Sequence, residues 1–292
     1  MKLANGFYTA LGTPIDDKGD LVADSLALHI EQQITEGAAG LLLMGTMGAG
    51  ANLKNATFKE AVYTAVKANK KRIPLFVGAM DTSIVKVMEK INLIKGCDID
   101  GIVLTVPFYD PVTEQEAINF YTRVADISPY PIYMYDHAII TSFKITLPMM
   151  DKLISHPNIK GMKTPDWQLI KGIERFYPDS DFECLYSGLD TFDYGRMMGI
   201  AKSLDGMFSC CPKNGKKIVD ANEKGDYKAA RKYLDNILKL RDTMLECDIM
   251  PSFTYCMNLL GCDGYFHYDV CSPLREEVKP ILKNLMEEIG EI

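Results

Sequence analysis

Eight short apolar runs rich in β-forming residues recur along the chain at fairly even intervals, each followed by a stretch with helical periodicity. They are FYTALGTP from Phe7, AGLLLMG from Ala39, IPLFVGA from Ile73, DGIVLTVP from Asp100, PIYMYD from Pro131, IKGMKT from Ile159, ECLYSG from Glu183 and DGMFS from Asp205. Strands that are apolar almost throughout, without polar alternation, indicate a parallel sheet buried on both faces. Eight strand–helix units close most economically into a barrel, with an open doubly wound sheet as the structural rival. We therefore expect an α/β chain: a (β/α)8 TIM barrel over residues 1–219 and a helical C-terminal extension over 220–292. In the extension DYKAARKYLDNILKLRDTML and PLREEVKPILKNLMEEI carry helical patterns, and no further convincing strand follows.

The intervening pieces read as helices with identifiable ends. DSLALHIEQQITEG places Leu26, Ile30 and Ile34 on one face, opens at Asp24 or Ser25 and stops at Gly37. Thr113 and Thr146 are N-cap candidates, and Pro148 is tolerated in a first turn.

The charge balance narrows the partners. With 32 basic and 39 acidic residues the formal charge is −7, and neither sign forms a long block, so no nucleic-acid footprint is expected. The first residues, MKLANGFYTALGTP, lack the pattern of a secretory signal, and no segment reaches the roughly 18 apolar residues of a membrane span. A cytoplasmic protein acting on small molecules is the expectation. The 8 cysteines contain no C-x-x-C pair and read as reduced thiols packed as small hydrophobes. Cys256, Cys262, His267 and Cys271 lack metal-ligand spacing, and the 4 histidines form no recognisable ligand set, so no metal is expected.

One glycine-rich stretch, GTMGAG from Gly45, matches neither the dinucleotide fingerprint nor the phosphate loop. It reads as the turn after the second strand. In barrels of this kind the reacting groups stand at the C-terminal ends of the strands. Those ends carry Gly45, Thr46 and Met47; Phe108 and Tyr109; Tyr135, Asp136 and His137; Lys163; Ser187 and Gly188; and Phe208 and Ser209. Lys163 stands out. An amine facing a barrel interior is desolvated, which disfavours the ammonium and favours the neutral form that attacks a carbonyl. At a strand end the same side chain can instead reach water or pair with a carboxylate. Imine chemistry also needs a proton carrier, for which Tyr135, Thr46 and Tyr109 supply hydroxyls.

Together these motifs resemble the Schiff-base-forming lyases typified by dihydrodipicolinate synthase and N-acetylneuraminate lyase. The resemblance runs through ALGTPIDDKGDLVADSL, GTMGAG, TVPFYDP, YMYD, IKGMKT, MPSFTYCMNLLG and CSPLREEVKPIL, essentially the whole chain. It implies that Lys163 forms the imine with a 2-oxo acid and that Tyr135 acts as acid and base beside it. Thr46 would be the relay hydroxyl and Tyr109 a second relay tyrosine, entering a neighbouring subunit's site in a homo-oligomer, a dimer or tetramer. Gly45, Met47 and Gly48 would meet the substrate, Gly188 would leave room for it, and Phe208 would act through its carbonyl. No cofactor or metal is implied, because the protonated imine is itself the electron sink.

The departures matter as much. Met47 stands where the resembled enzymes carry a second threonine that holds the pyruvate carboxylate, Ala49 replaces the loop glutamate, and Ile140 stands where dihydrodipicolinate synthase has a carboxylate-binding arginine. Losing one hydrogen bond to a charged group costs roughly 1.5 to 3 kcal/mol. Asp136 and His137, directly after Tyr135, are candidates to compensate for the lost contact, with an ordinary loop histidine as the alternative. Trp167, four residues after Lys163, could line the pocket or pack against the following helix. Two expectations follow: a lyase or aldolase on pyruvate or a related 2-oxo acid, with an aldehyde partner, other than dihydrodipicolinate synthase proper; or a catalytically impaired relative that binds keto acids or sugar acids.

Overall fold

Eight strands pair side by side in chain order, all parallel, and close into a barrel. Seven fall in the expected apolar runs, whereas the eighth is Lys202–Asp205, just before the expected DGMFS, whose Met207, Phe208 and Ser209 form a 3-10 turn after the strand. The computed structural model describes residues 2–292. Its strands are β1 (Gly6–Ala10), β2 (Gly40–Leu43), β3 (Leu75–Gly78), β4 (Gly101–Leu104), β5 (Ile132–Tyr135), β6 (Ile159–Thr164), β7 (Glu183–Tyr186) and β8 (Lys202–Asp205). The helices on the outside are α1 (Ala23–Thr35), α2 (Asn55–Asn69), α3 (Ile84–Leu93), α4 (Glu114–Ile127), α5 (Ala138–Thr141), α6 (Leu147–Leu153), α7 (Trp167–Phe176), α8 (Phe192–Met197) and α9 (Pro212–Glu223). Beyond them lie α10 (Tyr227–Cys247), α11 (Ile249–Leu259) and α12 (Lys279–Glu288). The barrel with its C-terminal helices is the architecture expected from the repeat of apolar runs, and the open sheet is excluded by β1–β8 pairing.

Burial on both faces explains the lack of polar alternation. Outward residues such as Leu41, Leu43, Ile102, Leu104, Ile132 and Met134 join the helices in one large core, while Tyr8, Leu42, Phe76, Val103, Tyr133 and Leu204 fill the barrel interior. The N-terminal half of that interior is plugged by aromatic rings lying over glycines. Phe76 and Tyr133 meet edge to face with centroids 4.7 Å apart. A Cβ on Gly101 would come within 2.8 Å of the Tyr133 ring, and one on Gly161 within 2.6 Å. These two positions are glycine because the ring needs the volume. The plug leaves the next layer up, at the C-terminal strand ends, as the floor of the open face.

Local signals held where tertiary packing did not override them. Thr113 forms a full capping box with Glu116 at the start of α4. Thr146 sits at the N-cap of α6 without a side-chain bond, and its hydroxyl is buried and unpartnered. α1 starts at Ala23 with Val22 as its cap residue, not at Asp24 or Ser25, because the Val22 carbonyl already accepts the first helical bond, from the Leu26 N–H at 3.1 Å. The pattern PLREEVKPILKNLMEEI becomes a helix only from Lys279. Pro280 is the reason: it lacks an N–H and fits a first turn, not a helix interior. All 8 cysteines are unbridged. Among the described residues no helix is long and apolar enough to cross a membrane.

Candidate active site

Parallel pairing places Tyr135 of β5 directly beside Lys163 of β6. Same-face neighbours on adjacent strands bring their side chains together, and the Lys163 Nζ donates to the Tyr135 phenol oxygen at 2.8 Å. The same nitrogen lies 4.0 Å from the centre of that ring. Both residues are only 7% exposed, so the pair stands at the mouth of the barrel with little water around it.

The next two residues of β5 and its loop diverge, as strand alternation requires. His137 stacks on the Tyr135 ring with centroids 4.8 Å apart. Burial, and then the nearby Lys163 charge, push its pKa down to about 4 against the opposing pull of Asp136, so its imidazole is neutral at neutral pH. Asp136 faces the other way. It accepts from the Thr164 hydroxyl at 2.8 Å and the Ile145 N–H at 3.1 Å and pairs with Lys144, fastening the β5 and β6 ends to the following loop. His137 therefore joins the site and Asp136 braces it from outside.

The glycine turn after β2 is shaped by close backbone approach. Met44 and Ala49 adopt left-handed φ values of 57° and 52°, and the turn closes through the Gly50 N–H to the Gly45 carbonyl at 3.3 Å. A Cβ on Gly50 would lie 2.3 Å from the Met44 carbonyl oxygen, and one on Gly48 2.8 Å from that of Leu11. Within this turn the N–H groups of Gly45, Thr46, Met47 and Gly48 have no acceptor among the described residues. The Met47 side chain is half-buried and lies over the end of β8, where a Cβ on Gly206 would meet its Cε at 2.8 Å.

The remaining candidates are spread around this centre. Thr46 is exposed, in contrast to the buried Tyr135. Tyr109 is 82% exposed. The space a side chain would need at Gly188 is taken by the phenol of Tyr186, 2.1 Å from a Cβ built there, so this glycine makes room for a tyrosine of its own chain. Phe208 is fully buried, its ring between Phe7 and Phe192 at 5.2 and 5.4 Å, which leaves only its backbone to act. Trp167 begins α7 and is 43% exposed. Ile140 lies half-exposed on the single turn α5. Among the described residues no cluster of three or more His, Cys, Asp or Glu is placed to hold a metal ion.

Sequence reasoning missed Thr105. It falls between Leu104 and Val106, both in the outer core, so it faces inward one layer with Tyr135, and its buried hydroxyl has no partner. The signal was a polar residue in an otherwise apolar run. An orphan buried hydroxyl costs about 1–3 kcal/mol. Thr105→Val, nearly the same shape, is accordingly expected to stabilise the fold by about 1 kcal/mol in a denaturant titration.

A closed parallel barrel with a buried lysine–phenol pair at the C-terminal ends of its strands defines a (β/α)8 protein with a candidate site on the usual face of that fold. The chain belongs to the dihydrodipicolinate synthetase family, whose family model matches residues 3–289. Members of this family are lyases of the class I aldolase type. The chain is 27% identical over 293 residues to the 4-hydroxy-tetrahydrodipicolinate synthase of Acidiphilium cryptum (strain JF-5), with 98% of each chain covered. Among solved structures it resembles the N-acetylneuraminate lyase of Proteus mirabilis, with a TM-score of 0.89 at 18% identity over 99% of this chain and 100% of that one. A prophage protein of the dihydrodipicolinic acid synthase family from E. coli K12, solved in complex with pyruvate, gives 0.87 at 22% identity over 99% of both chains. At these identities the structural likeness concerns the fold.

Proposed function

We propose that the protein is a Schiff-base lyase that holds pyruvate or a related 2-oxo acid as an imine on Lys163 and makes or breaks a carbon–carbon bond, or eliminates water, through the enamine. The observation that carries this reading is the 2.8 Å contact between the Lys163 amine and the Tyr135 phenol in a nearly dry barrel mouth. The neutral amine attacks the C2 carbonyl to give a carbinolamine; loss of its hydroxyl as water leaves the iminium. Tyr135, in contact with the nitrogen, gives and recovers the proton that each step moves. In the cleavage direction the C3–C4 bond breaks, its electron pair enters the iminium as an enamine, and the C4 hydroxyl loses its proton as the aldehyde departs. Protonation at C3 and hydrolysis return the free lysine.

The four free N–H groups from Gly45 to Gly48 support a carboxylate seat in the turn after β2, since successive backbone N–H groups cradle anions. Met47 retains the N–H and lacks a hydroxyl there, so Met47→Thr is expected to lower the half-saturating pyruvate concentration about tenfold. The exposure of Tyr109 supports the homo-oligomer implied by the resemblance, in which this phenol reaches a neighbour's site. The curated relatives are 4-hydroxy-tetrahydrodipicolinate synthases. Met47 and Ile140, at two positions that grip carboxylates in the resembled enzymes, and Ala49, where those enzymes carry a glutamate, favour a different 2-oxo acid or aldehyde partner here.

A second reading, a keto-acid or sugar-acid binding protein with a damaged carboxylate turn, is favoured by Met47 and Ala49 in the turn after β2. Borohydride reduction in the presence of pyruvate and a panel of 2-oxo acids, followed by mass spectrometry of the Lys163 peptide, separates the two. The lyase reading expects a stable adduct on Lys163; a folded protein that yields none with any of them is a binder.

A further inference from the structure

Lys90, on α3 and 40 residues beyond the glycine turn, has its ammonium buried, with only 5% of the residue exposed. Its Nζ lies 2.8 Å from the Met80 carbonyl, 3.0 Å from the Asp81 carboxylate and 3.5 Å from the Gly50 carbonyl. Lys86 shares Asp81 at 2.7 Å. One cation thus joins the loop after β3 and the last residue of the turn after β2. A buried charge is tolerated only where such partners replace water, and here all are supplied by backbone and one carboxylate.

The point of attachment matters. Gly50 closes the turn by donating to the Gly45 carbonyl; Thr46, Met47 and Gly48, whose N–H groups are free, belong to the ring so formed, and the free N–H of Gly45 directly precedes it. The Met44 carbonyl, at the ring's other end, is pressed onto Gly50 and onto Gly78 of β3, 2.3 and 2.2 Å from Cβ atoms built there. β3 and α3 therefore hold the turn at both ends without touching the N–H groups themselves.

We propose that Lys90 is a positioning residue that aims the turn after β2 at the substrate carboxylate. This inference rests on the 2-oxo acid reading above. It gives the buried ammonium a role that neither the imine chemistry nor the proton relay uses. Groups of this kind, behind those that touch substrate, set how well an anion is gripped.

The test uses full-length Lys90→Met and Asp81→Asn, with the rate of borohydride trapping on Lys163 measured against the concentration of pyruvate and of methyl pyruvate, whose ester carries no charge. In Lys90→Met the half-saturating pyruvate concentration rises about tenfold while the limiting rate and the methyl pyruvate curve stay within about threefold. A merely structural role shifts both compounds and the limiting rate together, and that result overturns the proposal, as does an unchanged pyruvate curve in folded protein. Asp81→Asn keeps the shape of the contact and weakens only its charge. It is expected to raise the half-saturating pyruvate concentration about threefold, and it decides the matter if Lys90→Met does not fold. No adduct in the unaltered protein overturns the 2-oxo acid reading and this one with it; an adduct there, with pyruvate and methyl pyruvate affected alike in the variants, overturns this one alone.

Discussion

Lys163→Ala eliminates the borohydride-trapped adduct with every 2-oxo acid and lowers kcat by about four to six orders of magnitude, the range seen when a covalent nucleophile is removed. No other residue substitutes for it. The amine is the only one with its nitrogen on the Tyr135 phenol among the described residues, and the buried Lys90 is held by carbonyls and Asp81 outside the barrel mouth. The substitution leaves the strand pairing of β6 untouched, because its ladder is made by backbone groups, so circular dichroism and the thermal midpoint should report a folded protein. Retained adduct on another lysine in folded Lys163→Ala would remove the imine from the position assigned here.

Tyr135→Phe separates imine formation from proton movement. The ring, its stacking on His137 and its packing in the barrel remain, and only the oxygen is lost. Adduct still accumulates, slowly, while kcat falls by about two to four orders of magnitude, the contribution expected of a positioned acid–base group. The half-saturating concentration of the 2-oxo acid is expected to change little, since the carboxylate seat proposed above lies in the turn after β2 and not at Tyr135. His137 is the competing carrier. It touches the same ring and is neutral at neutral pH, but it meets Tyr135 by stacking, whereas the phenol oxygen holds the Lys163 nitrogen directly. An unchanged kcat in Tyr135→Phe would transfer the role away from the phenol.

These two expectations draw on residues that the order of amino acids alone makes legible. Lys163 and Tyr135 end successive apolar runs, and in a parallel barrel consecutive strand ends are neighbours, so their contact follows from topology. Other assignments needed side-chain direction. Asp136 and His137 are adjacent in sequence and equally polar, yet one braces the outside and the other stacks inside. Gly188 reads in the chain as space for a substrate, and the space belongs to Tyr186, two residues back on the same strand end. Thr46 and Tyr109 sit at the strand ends the repeat predicts, and their exposure within one chain makes any relay through them depend on substrate or on a second subunit.

What the sequence determined by itself was the alternation of buried strands and amphipathic helices, and with it the barrel and the face on which its polar strand ends gather. That much is local: apolar runs of strand length, helical periodicity and turn residues each act over a few positions. What only the tertiary structure decided were the long-range placements. It set a buried ammonium 40 residues away on the carbonyl of Gly50, the residue whose N–H closes the glycine turn, an orphan hydroxyl beside the Tyr135 layer, and Met47 against Gly206 at the barrel mouth. These depend on which carbonyls and which empty Cβ positions come together when the ring of strands closes, and no local pattern encodes that geometry.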